Sequence, residues 1–319
     1  MSSSSGKNPL VSVIIVNWNG RHWLEKCLPT LYAQTYTEFE TIIVDNGSAD
    51  GSVDWLKREW SQVSVLAQSR NLGFAQANNV GISKAAGQFI VTLNNDTMLE
   101  PDWLAALVAG VDAPDVGMVA SHIVLWQQPH LLDSTGIEVD MAGIAWNRGW
   151  MQVVSETAVS PDVFGPSACA ALYRRDMLDE IGLFDENFLA YYEDVDLAWR
   201  AQNAGWRCRY APSARLMHWH SATANKDPAL KQFLLGRNKL WTIVKNYQCP
   251  ALLKASPLII LYDFLATGYQ TIQSRNLASL RGRLAAVAGI EPILQKRKPA
   301  RQAVPLARVQ APWKGRIKL

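Results

Sequence analysis

Short apolar runs alternate with longer segments of helical spacing over the first hundred residues. Apolar runs rich in β-branched residues are typical of buried strands, and leucines three or four positions apart indicate helices. The predicted strands cover residues 10–16, 39–44, 63–66 and 89–93; the predicted helices cover 21–34, a segment with Val53 and Leu56 on its inner face, and 74–86. Strands alternating with helices predict an α/β fold with a mostly parallel, Rossmann-like sheet flanked by helices.

Polar residues stand directly after these predicted strands. Asn17, Asp45 and the run Asn94-Asn95-Asp96 follow the first, second and fourth strands. Because open α/β sheets bind ligands outside the carboxyl ends of their strands, we expect a polar crevice at this edge. A carboxylate such as Asp96, with room for water and substrate phosphates, suits Mg2+ or Mn2+. The alternative is that Asp96 only bonds loop amides, as many Asx residues do.

The pattern is less regular beyond residue 112. Strands and hairpins are predicted over 116–126, 136–145, 169–173 and 206–210, with a further strand-like run at 214–217. Helices are predicted over 177–181, 193–204 and 227–247, followed by an apolar helical extension. The chain therefore divides into halves at 9–112 and 113–247 and a C-terminal extension over 248–319.

Composition limits the class of protein. The chain has 319 residues, of which 49% are hydrophobic and 18% charged, so it is globular. Its four cysteines lie far apart and form no Cys-x-x-Cys pair, which argues against a zinc site or disulfide framework and favours a reducing cytosol. Residues 1–8 are polar, so they are predicted to be a disordered N-terminus and not a signal peptide.

Positive charge is concentrated at the C-terminus. Residues 281–319 hold ten Lys and Arg but one acid, Glu291, so they carry +9, and the rest of the chain carries −6 of the net +3. The preceding apolar stretch, 251–269, is interrupted by Lys254 and Asp263, which argues against a clean membrane span. An apolar helix beside basic residues suits a peripheral anchor on anionic lipid. The alternatives are a solvated, disordered tail or a nucleic-acid binder, which lacks any recognised motif.

A dense acidic cluster, Glu193-Asp194-Val195-Asp196, begins a predicted helix. On a helix Glu193 and Asp196 share one face while Asp194 points elsewhere. Asp194 is therefore the candidate general base, with Glu193 or Asp196 held by structure. The alternative is that acids stand here only because they interact favourably with the helix dipole.

Two weaker signals concern binding to a nucleotide. The Asp45 carboxylate can accept a hydrogen bond from the imide N–H of uracil or thymine, or it can simply close a turn before a helix. Asn71-Leu72-Gly73-Phe74 precedes a helix that contains Asn78 and Asn79. A helix N-terminus beside a glycine can meet a diphosphate or sugar, or it can be an ordinary cap.

A third weak signal is the pair His218 and His220. An imidazole after a strand-like run can complete a metal shell begun by Asp96. A lone histidine is more often structural, and the residues do not decide which of the two would bind.

Six motifs occur in a characteristic order: VSVIIVNWNG at 11–20, IVDNGS at 43–48, NLGF at 71–74 with Asn78-Asn79, LNND at 93–96, Glu193-Asp194, and His218. In this order they resemble the family-two glycosyltransferases, and the chain is most similar to their rhamnosyltransferase-like branch over residues 9–247. The resemblance implies the GT-A nucleotide-diphospho-sugar transferase fold, an inverting mechanism and a nucleotide-sugar donor.

The resemblance also implies where the donor lies. Asp45 would hold the pyrimidine base, Asn17 would lie beside the nucleoside, and Asn71 would lie near the donor. Arg237 would approach the diphosphate or the acceptor, although a charge on a helix surface is an equal alternative. The full expected set of donor-binding residues is Asn17, Asp45, Asn71, Gly73, Asn78, Asn95 and Arg237.

The resemblance assigns catalysis to the acidic cluster and the metal to the fourth strand. Asp194, with Glu193 beside it, matches the base that takes the acceptor hydroxyl proton. Asp96 matches the last acid of the family's Asp-x-Asp metal motif, and His218 matches a histidine that touches the metal or diphosphate. Asn94 departs from the pattern because many members carry an Asp there, which implies weaker metal binding.

Together these features predict a non-processive, Mg2+- or Mn2+-dependent inverting glycosyltransferase. It would bind its nucleotide sugar through residues 9–112 and a glycan or lipid-linked acceptor through 113–247, at the inner face of the cytoplasmic membrane. Its expected role is cell-envelope polysaccharide synthesis, with dTDP-rhamnose as first donor and UDP-hexoses or UDP-galactofuranose next. One alternative is an inactive family member that acts as an assembly subunit; another is a nucleotidyltransferase, for which residues 17–20 and Arg21 offer too little of a basic glycine-rich loop.

Overall fold

A computed structural model describes residues 10–154, 162–219 and 227–301. Its strands are β1 Val11–Asn17, β2 Phe39–Asp45, β3 Ser64–Ala67, β4 Phe89–Asn94, β5 Thr97–Leu99, β6 Val116–Leu125, β7 Gln128–Ser134, β8 Ile137–Val139, β9 Ala145–Asn147, β10 Asp162–Val163, β11 Ala170–Arg174 and β12 Arg207–His218. Its helices are α1 Arg21–Tyr32, α2 Ser52–Glu59, α3 Phe74–Ile82, α4 Trp103–Ala109, α5 Arg175–Ile181, α6 Glu193–Ala204, α7 Pro228–Asn246, α8 Cys249–Ser274, α9 Ala278–Ala288 and α10 Ile290–Gln295.

Ten of the strands in the described ranges form one sheet. Eight of them lie in the spatial order β10-β12-β6-β11-β4-β1-β2-β3, while β5 pairs with β12 and β7 pairs with β6. The α/β class, the helix-flanked sheet and the C-terminal helices are confirmed. Strands β3, β2, β1 and β4 pair in parallel, as predicted. The other half of the sheet is mixed, because β11 runs antiparallel to both β4 and β6. The prediction of a mostly parallel sheet therefore holds for the N-terminal half only.

Strand β12 is longer than the two runs from which it was predicted. The sequence indicated strands at 206–210 and 214–217, with Pro212 between them. A register shift between Tyr210 and Arg215 absorbs this break as a bulge, so one strand continues to His218. The short strand β5 was not predicted, and it pairs antiparallel with the end of β12, so that Thr97 lies opposite His218.

Alternate residues of β1 face two separate cores, as the two-residue period of a strand requires. Ile14 packs in the cluster that includes side chains of α3, α5, α6 and α7. Val13 and Ile15 pack on the other face, in the cluster with α1, α2 and α4. Both faces of the sheet are thus covered, and only its edges and strand ends are left to meet a ligand.

The C-terminal helices pack against the part of the chain before residue 248 and are not an independent tail. Ala255 and Ile259 of α8 are buried in the main core cluster. Asp263 of α8 pairs with Lys239 of α7 at 3.2 Å and with Arg283 of α9 at 2.7 Å. Among the described residues, α8 is the one helix long and apolar enough to cross a membrane. The division of the chain after residue 247 stays a prediction.

The buried histidine of β6 should make the fold sensitive to acid. His122 lies 2.5 Å from the Tyr210 hydroxyl, and burial, with the Arg215 charge nearby, lowers the pKa of His122 from 6.5 to about 4. A depressed folded-state pKa gives stability that is complete above pH 6.5 and is lost as the pH falls toward 4. The pKa shift corresponds to a loss of about 3 kcal/mol in the free energy of unfolding at low pH.

We therefore expect His122→Gln to flatten the fall in unfolding free energy between pH 7.5 and pH 4, measured by urea denaturation. Exposed His130 supplies the control, since His130→Gln should keep the wild-type pH dependence. An identical acid response in wild type and His122→Gln would contradict the assignment.

Candidate active site

Asn17, at the carboxyl end of β1, is the centre of a buried hydrogen-bond network. Its amide Nδ2 donates to Asp45 Oδ2 and to Ser52 Oγ, each at 3.0 Å. Its Oδ1 accepts from Asn95 Nδ2 at 2.8 Å. Gly20 permits this approach, since a Cβ there would lie 2.2 Å from Asn95 Nδ2. The network brings the residues that follow β1, β2 and β4 together, as the pattern of polar strand ends predicted.

Asp45 is buried and already has partners on both carboxylate oxygens. Oδ2 accepts from Asn17, and Oδ1 accepts from the backbone N–H of Ser48 at 2.9 Å. The second bond closes the turn after β2, which is the structural alternative raised by the sequence. Binding of a pyrimidine base by Asp45 stays a prediction.

Asn46, which the sequence did not single out, supports the segment that carries Asn71. Its Nδ2 donates to Asn71 Oδ1 at 2.9 Å, and its Oδ1 accepts from the backbone N–H of Leu72 at 2.8 Å. The only signal for it was its place after β2. Asn46 holds the exposed Asn71 at the rim of the crevice, so Asn71 remains a candidate donor contact.

Gly73 and Asn78 do not have the predicted donor-binding geometry. The first N–H groups of α3, from Phe74 and Ala75, both donate to the Leu189 carbonyl. Gly73 has φ +84°, and a Cβ on it would lie 2.3 Å from Leu189 Cδ1. The buried Asn78 donates to the Phe74 carbonyl in its own helix. This helix N-terminus is therefore closed by protein groups and not open to a diphosphate.

Asp96 and His218 meet at the end of β12. His218 Nε2 lies 3.3 Å from Asp96 Oδ1, and His218 Nδ1 lies 2.6 Å from Asp133 Oδ2. Burial opposes protonation of His218, but Cys169 and the bonds to Asp133 and Asp96 outweigh it and raise the pKa of His218 well above its usual range. Asp133 was missed because nothing in the sequence links residue 133 to residue 218. His220 lies outside the described residues.

These groups fit a divalent cation that is shared with a substrate. No three His, Cys, Asp or Glu side chains in the described ranges could by themselves hold a metal ion. Mg2+ is usually bound by one or two protein ligands together with substrate phosphates and water. The raised pKa of His218 favours a proton on Nε2, where it faces Asp96 Oδ1. A cation would displace this proton; Asp96 Oδ1 and the neutral His218 Nε2 would then be two converging ligands, and Asp133 would orient the histidine in the manner of carboxylate–histidine–metal sites. Asn94 Nδ2 lies 3.5 Å from His218 Nε2.

Asp194 and Glu193 begin α6 in contrasting environments. Glu193 is buried, and its Oε2 accepts no hydrogen bond from the residues that the structure describes. Burial and the Asp194 charge raise the pKa of Glu193 well above its usual range. Burial also raises the pKa of Asp194, but backbone N–H groups of Ala168 and Val195 favour its ionised form. The surroundings therefore differ: Glu193 is buried with an unpartnered oxygen, while Asp194 is partly buried and has backbone N–H groups on both of its oxygens.

Asp196 has a structural role, as helical spacing allowed. It is fully buried and accepts bonds from Arg200 at 2.9 Å, Lys245 at 2.9 Å and Asn246 at 2.8 Å. The charges of Arg200 and Lys245, with the hydrogen bond from Asn246, keep the pKa of Asp196 low despite its burial. Asp196 thereby ties α6 to α7 and fixes the helix whose first turn carries Asp194.

The two residues before β11 lie between Asp194 and the Asp96–His218 pair and contact both. The Ala168 N–H donates to Asp194 Oδ2 at 3.3 Å, and the next residue, Cys169, accepts from the Asn94 N–H at 2.7 Å through its carbonyl. The Cys169 thiol adjoins His218, and burial raises the pKa of that thiol. Asp194 and the Asp96–His218 pair are thus held to one short segment of backbone.

Arg237 is not placed as a diphosphate ligand. Its Nη2 donates to the carbonyls of Asn187 and Phe188, and its guanidinium lies 4.3 Å from the centre of the Trp241 ring. Burial lowers the pKa of Arg237. Neither the predicted donor contact nor the surface charge raised as its alternative describes this side chain, which is half-buried and supports a loop.

Comparison with known proteins gives a consistent result. The model of the family described as glycosyl transferase family 2 matches residues 12–182. N-acetylglucosaminyl-diphospho-decaprenol L-rhamnosyltransferase of Mycobacterium tuberculosis is 27% identical over 245 residues, covering 69% of this chain and 79% of that protein. O-antigen biosynthesis protein RfbC of Myxococcus xanthus is 28% identical over 243 residues, covering 69% of this chain. The match spans 18% of RfbC and 25% of an uncharacterised protein, y4gI, of Sinorhizobium fredii.

Solved structures support the fold. Mannosyltransferase PcManGT from Pyrobaculum calidifontis, in complex with GDP-Man and Mn2+, has a TM-score of 0.56 at 18% identity and covers 91% of this chain and 83% of its own. S. aureus TarS 1-349, in complex with UDP-GlcNAc, has a TM-score of 0.58 at 16% identity, and the match covers 90% of this chain and 81% of that chain.

The contact between Gly73 and Leu189 predicts that Gly73→Ala destabilises the fold. The new Cβ would meet Leu189 at van der Waals overlap, and φ +84° is unfavourable for alanine. We expect a loss of roughly 2–5 kcal/mol in the free energy of unfolding, from strain and overpacking together.

Gly51→Ala is the matched control for backbone strain alone. Gly51 has φ +77°, but no atom lies within 4 Å of its added Cβ. It should lose only about 1 kcal/mol in the same denaturation experiment. Equal losses of unfolding free energy in the two variants would show that a Cβ at residue 73 makes no unfavourable contact with Leu189.

Proposed function

The chain belongs to glycosyl transferase family 2, and on this premise we propose that it transfers one or a few sugars, with inversion, from a nucleotide-diphosphate donor to a hydroxyl of a glycan or lipid-linked acceptor. The observation that carries the proposal is the backbone link at residues 168–169. It supports a single crevice with a partly buried carboxylate, Asp194, on one side and a pair suited to a cation, Asp96 and His218, on the other.

Asp194 serves as the general base in this proposal. It accepts the proton of the acceptor hydroxyl, and the resulting oxygen attacks the anomeric carbon from the face opposite the diphosphate. The raised pKa of Asp194 improves it as a base, while the two backbone N–H bonds keep it ionised and aimed. The raised pKa of Glu193 favours its uncharged form, which lessens the negative charge beside Asp194, as in catalytic acid pairs whose pKa values are separated by environment.

The donor occupies the edge formed by β1, β2 and β4. Asp96 and His218 would hold a divalent cation, whose chemistry is to stabilise the charge that develops on the departing diphosphate. Asp133 keeps His218 oriented, and Asn71 and Asn95 offer amides at the rim. Asn94 contributes no charge, so we expect the cation to bind weakly without the donor phosphates.

The relatives suggest the substrate class. One is named as a rhamnosyltransferase acting on N-acetylglucosaminyl-diphospho-decaprenol and another as an O-antigen biosynthesis protein. We therefore propose dTDP-rhamnose as the first donor, with UDP-hexoses or UDP-galactofuranose next, and a role in cell-envelope polysaccharide synthesis. A second candidate function is that of an inactive assembly subunit, and the observation that favours it is Asn94 in place of an acid. Measured sugar transfer would exclude this candidate.

We also propose that the protein lies on the inner face of the cytoplasmic membrane through α8 and α9. Leu253, Ile260 and Phe264 recur at spacings of seven and four residues and share one face of α8, where they are 74%, 68% and 76% exposed. Asp263, on another side of α8, is paired with Lys239 and Arg283 inside the protein. A helix that is docked on one side and apolar on the other suits an interfacial position, and the basic residues of the C-terminus suit anionic lipid.

Substitution of the base tests the enzymatic proposal. Asp194→Asn keeps the size of the side chain and, through its single amide oxygen, one of the two backbone contacts, but it removes the basicity of the side chain. Turnover should therefore fall by roughly 10²–10⁴-fold while the protein remains folded. The measurement is sugar transfer at saturating donor. Asp176, an exposed aspartate in the first turn of α5, provides the control, because Asp176→Asn should keep wild-type turnover. Near-normal turnover in Asp194→Asn would refute the base assignment.

Flotation with vesicles tests the membrane proposal. The variant Leu253→Gln/Ile260→Gln/Phe264→Gln removes three exposed apolar side chains, each worth roughly 1.5–3 kcal/mol when buried, so binding to vesicles that contain phosphatidylglycerol should fall at least about tenfold. Met141→Gln/Met151→Gln, on exposed residues of other loops, should bind like wild type. Unchanged flotation of the triple variant would contradict the anchor.

A further inference from the structure

The backbone just before α6 has an unusual conformation. We define the base loop as residues 187–192. Leu189, Tyr191 and Tyr192 have φ of 66°, 66° and 68°, and they make up half of the six non-glycine residues with positive φ in the described ranges. Each such residue costs of order 1–3 kcal/mol and persists only where its surroundings impose it. Three of them lie within five residues of Asp194.

Leu189 is the centre of a γ-turn. Its φ and ψ are 66° and −64°, and the Ala190 N–H donates to the Phe188 carbonyl at 2.8 Å. This form of the turn is the rare and strained one. The strain is maintained by contacts outside the loop, which can be identified.

Asn238 of α7 is the main contact. It is fully buried, and its Nδ2 lies 2.9, 2.9 and 2.7 Å from the carbonyls of Phe188, Ala190 and Tyr191. One amide nitrogen, with two hydrogens, thus gathers three carbonyl groups on the inside of the turn. Arg237 Nε donates to Asn238 Oδ1 at 2.9 Å, which fixes the orientation of the amide.

The base loop connects the two sides of the crevice. The Leu189 carbonyl accepts from the first N–H groups of α3, directly after Asn71 and Gly73. At its other end Tyr192 is the N-cap residue of α6, two positions before Asp194. A small rotation of the loop would therefore move the first turn of α6 relative to the donor side.

We propose that Asn238 is a positioning residue for Asp194, holding the base loop in its strained form so that the carboxylate faces the acceptor hydroxyl. This inference rests on the proposed role of Asp194 as base. Without the amide donors of Asn238 the loop relaxes, the first turn of α6 becomes mobile, and the carboxylate loses its alignment. Misplacement of a catalytic group by about 1 Å can cost about 10²-fold in rate.

The test compares Asn238→Ala and the nearly isosteric Asn238→Asp with wild type. Both remove the amide donors, so we expect turnover at saturating donor to fall about 10–100-fold while the donor KM changes less than about twofold. The acid limb of the kcat–pH profile should also move to lower pH in Asn238→Ala, because a relaxed loop exposes Asp194 and burial is what raises its pKa.

A second variant separates the positioning of Asp194 from a simple loss of stability. Gln34→Ala is the control for loss of a buried amide. Gln34 donates to the Glu100 carbonyl and accepts from the Leu104 N–H on the other face of the sheet, so its variant should lose stability but keep turnover and pH profile.

The outcomes separate this inference from the function on which it rests. If Asp194→Asn is inactive while Asn238→Ala has normal turnover and only a lower thermal midpoint, Asn238 is merely structural and the positioning role is wrong. If Asp194→Asn is fully active, the proposed base is wrong and the positioning role falls with it. A parallel rise in donor KM and fall in turnover for Asn238→Ala would assign the residue to donor binding and overturn the proposal.

Discussion

The antiparallel strand β11 is the constraint on which the rest of the site depends. It inserts between β4 and β6, so its start meets the carboxyl end of β4, with Ala170 opposite Leu93. Of the two residues before it, Ala168 donates a hydrogen bond to Asp194 in α6, and Cys169 contacts His218 of the Asp96–His218 pair. A wholly parallel sheet would place the start of this strand at the opposite edge and separate the two acidic groups.

The sequence predicts the parallel half of the fold well. The strands of that half are continuous apolar runs, and the polar residues of the crevice stand at or directly after the ends of these runs. Asn17, Asp45 and Asn95 converge for that reason. The sequence does not predict Asp133 or Asn238, because each acts through contacts between residues far apart in the chain. The donor roles of Gly73, Asn78 and Arg237 stay predictions. In the structure Asn78 bonds a carbonyl of its own helix, while Arg237 and the two N–H groups that follow Gly73 bond carbonyls of the base loop, whose path no local pattern encodes.

The C-terminal helices connect the proposed membrane surface with the base loop. Phe188 of that loop packs with Trp241, Ala286 and Ile293, which belong to α7, α9 and α10. Lys245 of α7 and Lys296 after α10 both pair with Asp185, at the entry to the same loop. One of the helices that would contact lipid, α9, is therefore also part of the support of the base loop.

The central claim is that a nucleotide-sugar donor and a divalent cation bind together at the edge formed by β1, β2 and β4. Thermal unfolding in the presence of dTDP-rhamnose, UDP-glucose or UDP-galactofuranose, each with Mn2+, Mg2+ or EDTA, tests it most directly. The account predicts that one of these donors raises the thermal midpoint with metal, by an amount that grows with donor concentration, and that EDTA or Asp96→Asn removes most of the rise. No stabilisation by any donor under any condition would contradict the account.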